Sequence, residues 1–556
     1  MTGPQVRPDR RLTRRELLRL GPGAATALAL GCVSRPPGSA DRALDAGRIT
    51  GTIVGASHGA GHRLRTGALP EPRQTQDVPV IIAGAGIAGL SAAWKLSRSG
   101  FRDFVLLELE PQAGGNARWG ENPVSAYPWG AHYLPVPPPE AAAVRELLDE
   151  MGLVQGHGPD GEPVYDPRHL CHAPQARVFR DGGWREGLSA QDLLDPDGTA
   201  AAPELTAFEA QAQRYREYRD ARGRPAFALP LALSTTDSEI VALDGISMRE
   251  YFDRADWSSP WLRWYVDYCC RDDYGCTLDT TSAWAGWHYF CSRPDDVEYL
   301  TWPEGNGRIV RHLLESLAGP VRTGMLVYRL RSSGATRRAG SASGVEVDAI
   351  DLRSETAVRF RARRCIYALP RFTAPHAIEG YPPGDTDAFT YSPWMVANLT
   401  VDRLPDGAAW DNVLAESPSL GYVVATHQSL RTAPGPSVLT YYLPLAVPSP
   451  AVARAWMLDR DWRYWASLIL ADLAQAHPEI ESVVTHIDVM LWGHAMIRPV
   501  PGFIWGEARR RTPARHGAVH FAHSDMSGIS IFEEAQYHGV RAAEAVMDEL
   551  GHAYAS

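Results

Sequence analysis

One short turn constrains this 556-residue chain more than any other feature: Gly84-Ala85-Gly86-Ile87-Ala88-Gly89. Before it, Val78-Pro79-Val80-Ile81-Ile82-Ala83 predicts a buried strand; after it, Leu90-Ser91-Ala92-Ala93-Trp94-Lys95-Leu96 predicts a helix. A second strand is expected at Phe104-Val105-Leu106-Leu107-Glu108. Such glycine spacing is common by chance, but between a strand and a helix it has physical meaning. Gly84 permits the tight turn, Gly86 lets the backbone approach a pyrophosphate, and Gly89 lets helix and strand pack closely. Ile87 and Ala88 then stand at a helix N-terminus, where free N–H groups and the helix dipole favour phosphate. Glu108, 19 residues after Gly89, is placed to accept both ribose hydroxyls of an adenosine and to disfavour a 2′-phosphate.

The next residues separate one dinucleotide from another. Glu108-Leu109-Glu110-Pro111-Gln112-Ala113-Gly114-Gly115-Asn116-Ala117-Arg118 resembles the extended motif of the flavin amine oxidase superfamily, which includes phytoene desaturases and protoporphyrinogen oxidase. The resemblance implies FAD, with Gly114 and Gly115 along the pyrophosphate and ribityl chain and Arg118 in place of the arginine that usually follows the pair directly. It recurs in Tyr127-Pro128-Trp129-Gly130-Ala131-His132-Tyr133, similar to the segment passing the flavin ring, and in Trp302-Pro303-Glu304-Gly305-Asn306-Gly307-Arg308. Val327 falls where a family strand meets adenine through its backbone. Cys365-Ile366-Tyr367-Ala368-Leu369-Pro370 resembles the strand that precedes the substrate domain. Near the end, Phe521-Ala522-His523-Ser524-Asp525, then a helix start holding Ala535, resembles the closing flavin motif, with Asp525 as its acidic residue. With no flavin-attachment motif evident, the FAD is expected to be non-covalent. The fold class implied is α/β: a Rossmann-type FAD-binding domain with an α+β substrate domain of mixed sheet and helices.

Composition narrows the partners. Residues 1–20 hold six Arg against Asp9 and Glu16; without them 49 basic residues face 63 acidic ones, a net charge near −14. No basic field remains to replace counterions, which argues against nucleic acid as a partner. The start, Arg11-Leu12-Thr13-Arg14-Arg15-Glu16-Leu17-Leu18, resembles a twin-arginine export signal, followed by an apolar run too short to span a bilayer. This implies the twin-arginine export machinery as a partner and an exported, periplasmic or envelope-associated protein. Leu28-Ala29-Leu30-Gly31-Cys32 partly resembles a lipobox, so Cys32 is either a lipid-anchored residue or lies near a cleavage site; the membrane enters only through that anchor. Six Cys remain, at 171, 269, 270, 276, 291 and 365. An oxidising compartment permits disulfides, most readily within 269–291. No zinc-type spacing occurs, so no metal site is expected.

Along the chain, 1–32 reads as the signal and 33–76, rich in Gly, Arg, Pro and Ser, as a flexible linker. Residues 77–140 and 301–375 read as two parts of the FAD-binding domain, and 141–300 as the mainly helical part of the substrate domain. Residues 376–490 supply its sheet and further helices, and 491–556 the closing segment with the C-terminal helix.

Two segments attract attention as substrate walls. Asp272 and Asp273 lie in Tyr268-Cys269-Cys270-Arg271-Asp272-Asp273-Tyr274, and Trp287 and Tyr289 lie in Trp284-Ala285-Gly286-Trp287-His288-Tyr289. Carboxylates beside aromatic faces suit a cationic amine; the bland alternative is that Arg271 neutralises one Asp and the aromatics pack the core. Amine oxidases of the superfamily commonly carry a Lys near flavin N5, and the single Lys here, Lys95, belongs to the phosphate-binding helix. His132, His494 and Arg498 are therefore the catalytic candidates. The leading expectation is oxidation of an amine, polyamines included, by hydride transfer to the flavin and imine hydrolysis. Two alternatives stay open: carbon–carbon desaturation of a lipid or tetrapyrrole, and a non-catalytic or electron-transfer flavoprotein in an envelope complex. The partner is a small-molecule substrate, with the electron acceptor open among oxygen, quinone and a carrier protein.

Overall fold

In the computed structural model the apolar run becomes the strand Gln74–Ala83, whose last four residues, Val80 to Ala83, are wholly buried. The structure describes residues 48–67, 69–188, 202–294, 297–332, 344–382, 384, 386–429 and 435–554. The expected signal at 1–32 lies outside them.

Gln74–Ala83 pairs in parallel with Phe104–Leu107 on one side and with Thr356–Tyr367 on the other. Beyond Thr356–Tyr367 the sheet continues antiparallel through Val345–Asp351 and Met325–Ser332, and the short strand Val519–Phe521 pairs with Thr356–Tyr367 near its end. Helix Ile87–Arg98 packs on this sheet with Leu90, Ala92, Ala93, Trp94 and Leu96 inside, each large apolar side chain contributing about 1.5–3 kcal/mol through burial. The last helix, Phe532–Leu550, lies directly against it. The approach is so close that a Cβ on Gly539 would stand 2.2 Å from the Ala88 carbonyl oxygen.

A second eight-stranded sheet runs in the order Thr50–Gly55, Val484–Ile497, Tyr391–Val401, Ser437–Pro444, Gly421–Val424, Asp411–Leu414, Ala176–Arg180, Gly183–Glu186. The sheet reaches past 490, and it takes two strands from the region read as mainly helical. Its outer face is covered by Trp462–Leu473, whose Trp465, Ile469 and Leu473 are fully buried.

The expected linker is corrected. Thr50–Gly55 is an edge strand parallel to Val484–Ile497, and His58–Thr66 is a helix. Composition suggested a tether, but a strand whose partner lies more than 400 residues away leaves no local signal. Helix Met248–Arg254 starts with a Ser247–Glu250 capping box, and helix Pro260–Tyr274 packs Tyr268 and Cys269 against the second sheet. The latter starts with a Ser259 cap and Pro at its first turn, and ends at Gly275 with φ 60°. Gly275 also docks the helix end: its carbonyl accepts from Ser392 Oγ at 2.6 Å, and a Cβ would meet Trp394 Nε1 at 2.7 Å. All six cysteines in the described residues are free and buried, and no pair within 269–291 is joined among them.

Gly539→Val forces the two helices apart, and overpacking of this kind costs about 1–3 kcal/mol or more. Chemical denaturation should show at least that loss; unchanged stability would mean that the helix contact is not as tight as described.

Candidate active site

The glycine turn divides into positions required by the protein and one left for something else. Gly84 adopts φ 97° and donates its N–H to Leu107 O at 2.8 Å. A Cβ there would lie 2.7 Å from Ala368 O, and one on Gly89 would lie 1.8 Å from Gly84 O. At Gly86 a Cβ would meet only Gly115 Cα, at 3.9 Å. No protein atom demands that glycine, and the space beside it belongs to a cavity of about 410 Å³ that Gly86, Ile87 and Ala88 line. This is the cradle a dinucleotide requires: a small residue at the close approach and a helix N-terminus behind it. Glu108 lines the same cavity, fixed by the N–H groups of Ala85 and Glu110, each 2.8 Å from its carboxylate, while burial raises its pKa.

Gly115, Gly130 and Ala131 continue the wall. Gly130 passes so close to Asn116 that a Cβ would stand 2.4 Å from its carbonyl oxygen. At the far side are Asp525 and Ala535. Asp525 Oδ2 accepts from the Arg371 backbone N–H at 2.7 Å and from the Tyr391 hydroxyl at 2.5 Å, and Oδ1 lies 3.0 Å from His523 Nδ1. Burial pushes its pKa up, but His523 and these donors outweigh burial and leave it below the usual carboxylate value.

The remaining wall carries acids and aromatics. The last turn of Pro260–Tyr274 brings Asp272 and Asp273 to the cavity, where Tyr133 OH donates to Asp272 at 3.4 Å. Arg271 makes its ion pair with Asp267, four residues back, at 3.0 Å, and offsets Asp272 only through its charge, as the smallest of the influences on that carboxyl. Burial, then the neighbouring carboxylates Asp273 and Asp411, raise the Asp272 pKa well above its ordinary value. Asp273 is pushed up to about 6 by burial, opposed by Arg293. Arg293 lines the cavity too and donates to Glu533 at 2.7 Å.

His132 and His494 both line the cavity. The His132 ring centre lies 4.8 Å from that of Tyr442, and His494 stacks on Phe372 at 4.1 Å. Burial brings each imidazole down to about 3, helped at His494 by Arg454, so both are neutral at pH 7.

Other expected site residues stand elsewhere. Arg118 pairs with Glu110 at 3.1 Å and lies over the Trp492 ring rather than along the cavity. Gly114 and Gly89 pack behind the wall, and Val327 is buried within its strand. Arg498 is buried against Cys276 Sγ at 3.3 Å, away from the cavity that a catalytic group must reach. Trp287 is a correction: it stacks on Phe208 at 4.8 Å in the helical core. Tyr289 sits one layer behind the cavity, among Cys269 and Tyr133. Lys95 pairs with Glu544 at 3.3 Å. Sequence reasoning missed Arg293, Tyr391 and Tyr442; none belongs to a motif, and only the fold brings them together.

Residues 82–151 match a family described as NAD(P)-binding Rossmann-like domain. A 78-residue stretch is 44% identical to part of a Baeyer-Villiger monooxygenase of Penicillium patulum, covering 14% of this chain and 11% of that protein. Among solved structures, the chain resembles a putrescine oxidase redesigned in its cofactor binding, with TM-score 0.62 and 16% identity over 85% of this chain and 100% of that one. It resembles cyclohexylamine oxidase from Brevibacterium oxydans with TM-score 0.60 and 16% identity over 86% and 100%. The chain therefore has the two-domain fold of the flavin amine oxidases, with a Rossmann-like nucleotide-binding domain.

A raised carboxyl pKa stabilises the folded state below the unfolded value, and that contribution is lost as pH rises through the folded value. For Asp273 the window runs from the ordinary carboxylate range to about 6. Asp273→Asn should gain on the native protein by an amount on the order of 3 kcal/mol between pH 4 and pH 7 in urea melts. A difference that does not change with pH would place the carboxyl in an ordinary setting.

Proposed function

We propose that this chain is an FAD-dependent oxidoreductase that oxidises an amine, polyamines included. The observation that carries the reading is the pair Asp272 and Asp273, set in an aromatic wall of the same cavity whose other side is the Gly86 cradle. When bound, FAD supplies a two-electron acceptor for a C–H bond next to nitrogen. Gly86, Ile87, Ala88 and Gly115 would hold its phosphates, Glu108 its ribose, and Asp525 and Ala535 the opposite end. The chain's own part is to bind and orient the donor carbon. Asp272 and Asp273 pair with a cation that ionises them on binding, and Tyr133, Trp394 and Tyr442 give it ring faces and exclude water. His132 and His494, both neutral, add no positive charge to repel it. Export through the twin-arginine route, with or without a lipid on Cys32, belongs to the same proposal: it carries folded proteins and so suits one that acquires its cofactor in the cytoplasm.

Anaerobic mixing of the purified flavoprotein with putrescine, spermidine and aromatic amines should bleach the flavin absorbance for at least one of them. If none does so, the amine reading fails. Asp272→Asn should raise KM for the reactive amine by about tenfold or more, as loss of a buried charged partner does, with a smaller change in the limiting rate of bleaching. Equal KM values would remove Asp272 from recognition. For export, Arg14→Lys with Arg15→Lys should hold the protein in the cytoplasmic fraction; unimpaired export of that variant would exclude the route.

A further inference from the structure

The strand Thr50–Gly55 and the helix His58–Thr66 touch both domains, and one carboxylate ties them to the cavity. Glu110 Oε1 accepts from the Ser57 N–H at 2.9 Å, and Oε2 accepts from Ser57 Oγ at 2.9 Å and from Arg118 Nη1 at 3.1 Å. The N–H of Glu110 itself fixes Glu108 Oε1 at 2.8 Å. Arg118 in turn lies 4.9 Å over the ring of Trp492, which lines the cavity. Glu110 thus stands between the N-terminal segment and two parts of the cavity wall.

The segment is firmly seated on either side of this latch. Gly51 passes so near the neighbouring strand that a Cβ would stand 1.8 Å from Ile487 O. Helix His58–Thr66 lies beside Leu109, a cavity-lining residue: a Cβ on Gly61 would meet Leu109 Cδ2 at 3.9 Å, and Leu64 and Leu109 pack against the same apolar cluster. Farther along, Arg63 makes two 3.0 Å hydrogen bonds to Glu355 of the nucleotide-binding domain. A segment that bridges the domains and covers Leu109 restrains the groove from outside, while Glu110 restrains the Glu108 carboxylate from within.

We propose that Glu110 is a positioning residue of the cofactor site, and that residues 50–66, which it latches, form a clasp that retains the cofactor. This rests on the FAD reading above. Charge-assisted hydrogen bonds of this kind are among the stronger ones in a protein, so losing the latch frees Ser57 and Arg118 and loosens both the Trp492 side of the wall and the cover over Leu109.

The test uses the full-length flavoprotein and follows flavin release after dilution, by the rise in free-flavin fluorescence. Ser57→Ala and Glu110→Ala should each release FAD at least about tenfold faster than the native chain, with Glu110→Gln, which keeps one acceptor oxygen, in between. A role confined to folding would lower the melting temperature of the flavin-free and flavin-bound forms alike and leave release unchanged, and that result overturns the clasp. Native protein that holds flavin while both variants release it at the native rate also overturns the clasp and leaves the function reading standing. Native protein that neither contains nor binds FAD overturns both.

Discussion

The cavity depends on backbone meeting backbone without side chains between. Three close approaches gather at the turn that starts at Gly84: the strand end at Ala368 against Gly84, the turn's own Gly89 against Gly84, and Gly539 of the last helix against Ala88. At each contact a Cβ would fall within 2.7 Å of a carbonyl oxygen. These approaches draw Phe532–Leu550 onto Ile87–Arg98 and so place Asp525 and Ala535 opposite Gly86. Gly86 is the exception, its small size unused by the protein, and that is what distinguishes a binding turn from a merely compact one. Interiors this densely packed tolerate little adjustment, so the cradle is a rigid feature.

Much of this was legible before any coordinates. The turn, both flanking strands, Glu108 and the final helix depend on local pattern, and the structure shows them where that pattern puts them. What failed was non-local. Thr50–Gly55 is a strand only because Val484–Ile497 is beside it, and composition rich in Gly and Arg disguised it. Helical spacing bears on two points that the sequence left open. Asp267 stands four residues before Arg271, the spacing at which such pairs form, and the arginine makes its ion pair there rather than with Asp272 or Asp273. Trp284, Trp287, His288 and Cys291 recur at three and four residues, the stripe of a buried helix face, which assigns Trp287 to the core.

Burying two adjacent carboxyls is costly, because desolvation disfavours their charged forms and each repels the other. Proteins usually offset this with cations, yet here the nearby cations are engaged: Arg271 with Asp267, and Arg293 with Glu533. Arg293 still moderates Asp273 at a distance, and Arg271 moderates Asp272 weakly, but Asp272 faces Asp273 and Asp411 with a tyrosine hydroxyl as its hydrogen-bond partner among the described residues. Such an arrangement adds nothing to a cavity meant for a hydrocarbon, where it would weaken both the fold and the fit. It becomes favourable when a positively charged ligand completes it, ionising the pair and recovering the electrostatic energy that folding left unused. The imbalance of charge inside the cavity is thus what supports the proposed amine over a lipid or tetrapyrrole, and the support comes from residues that lie outside every cofactor motif.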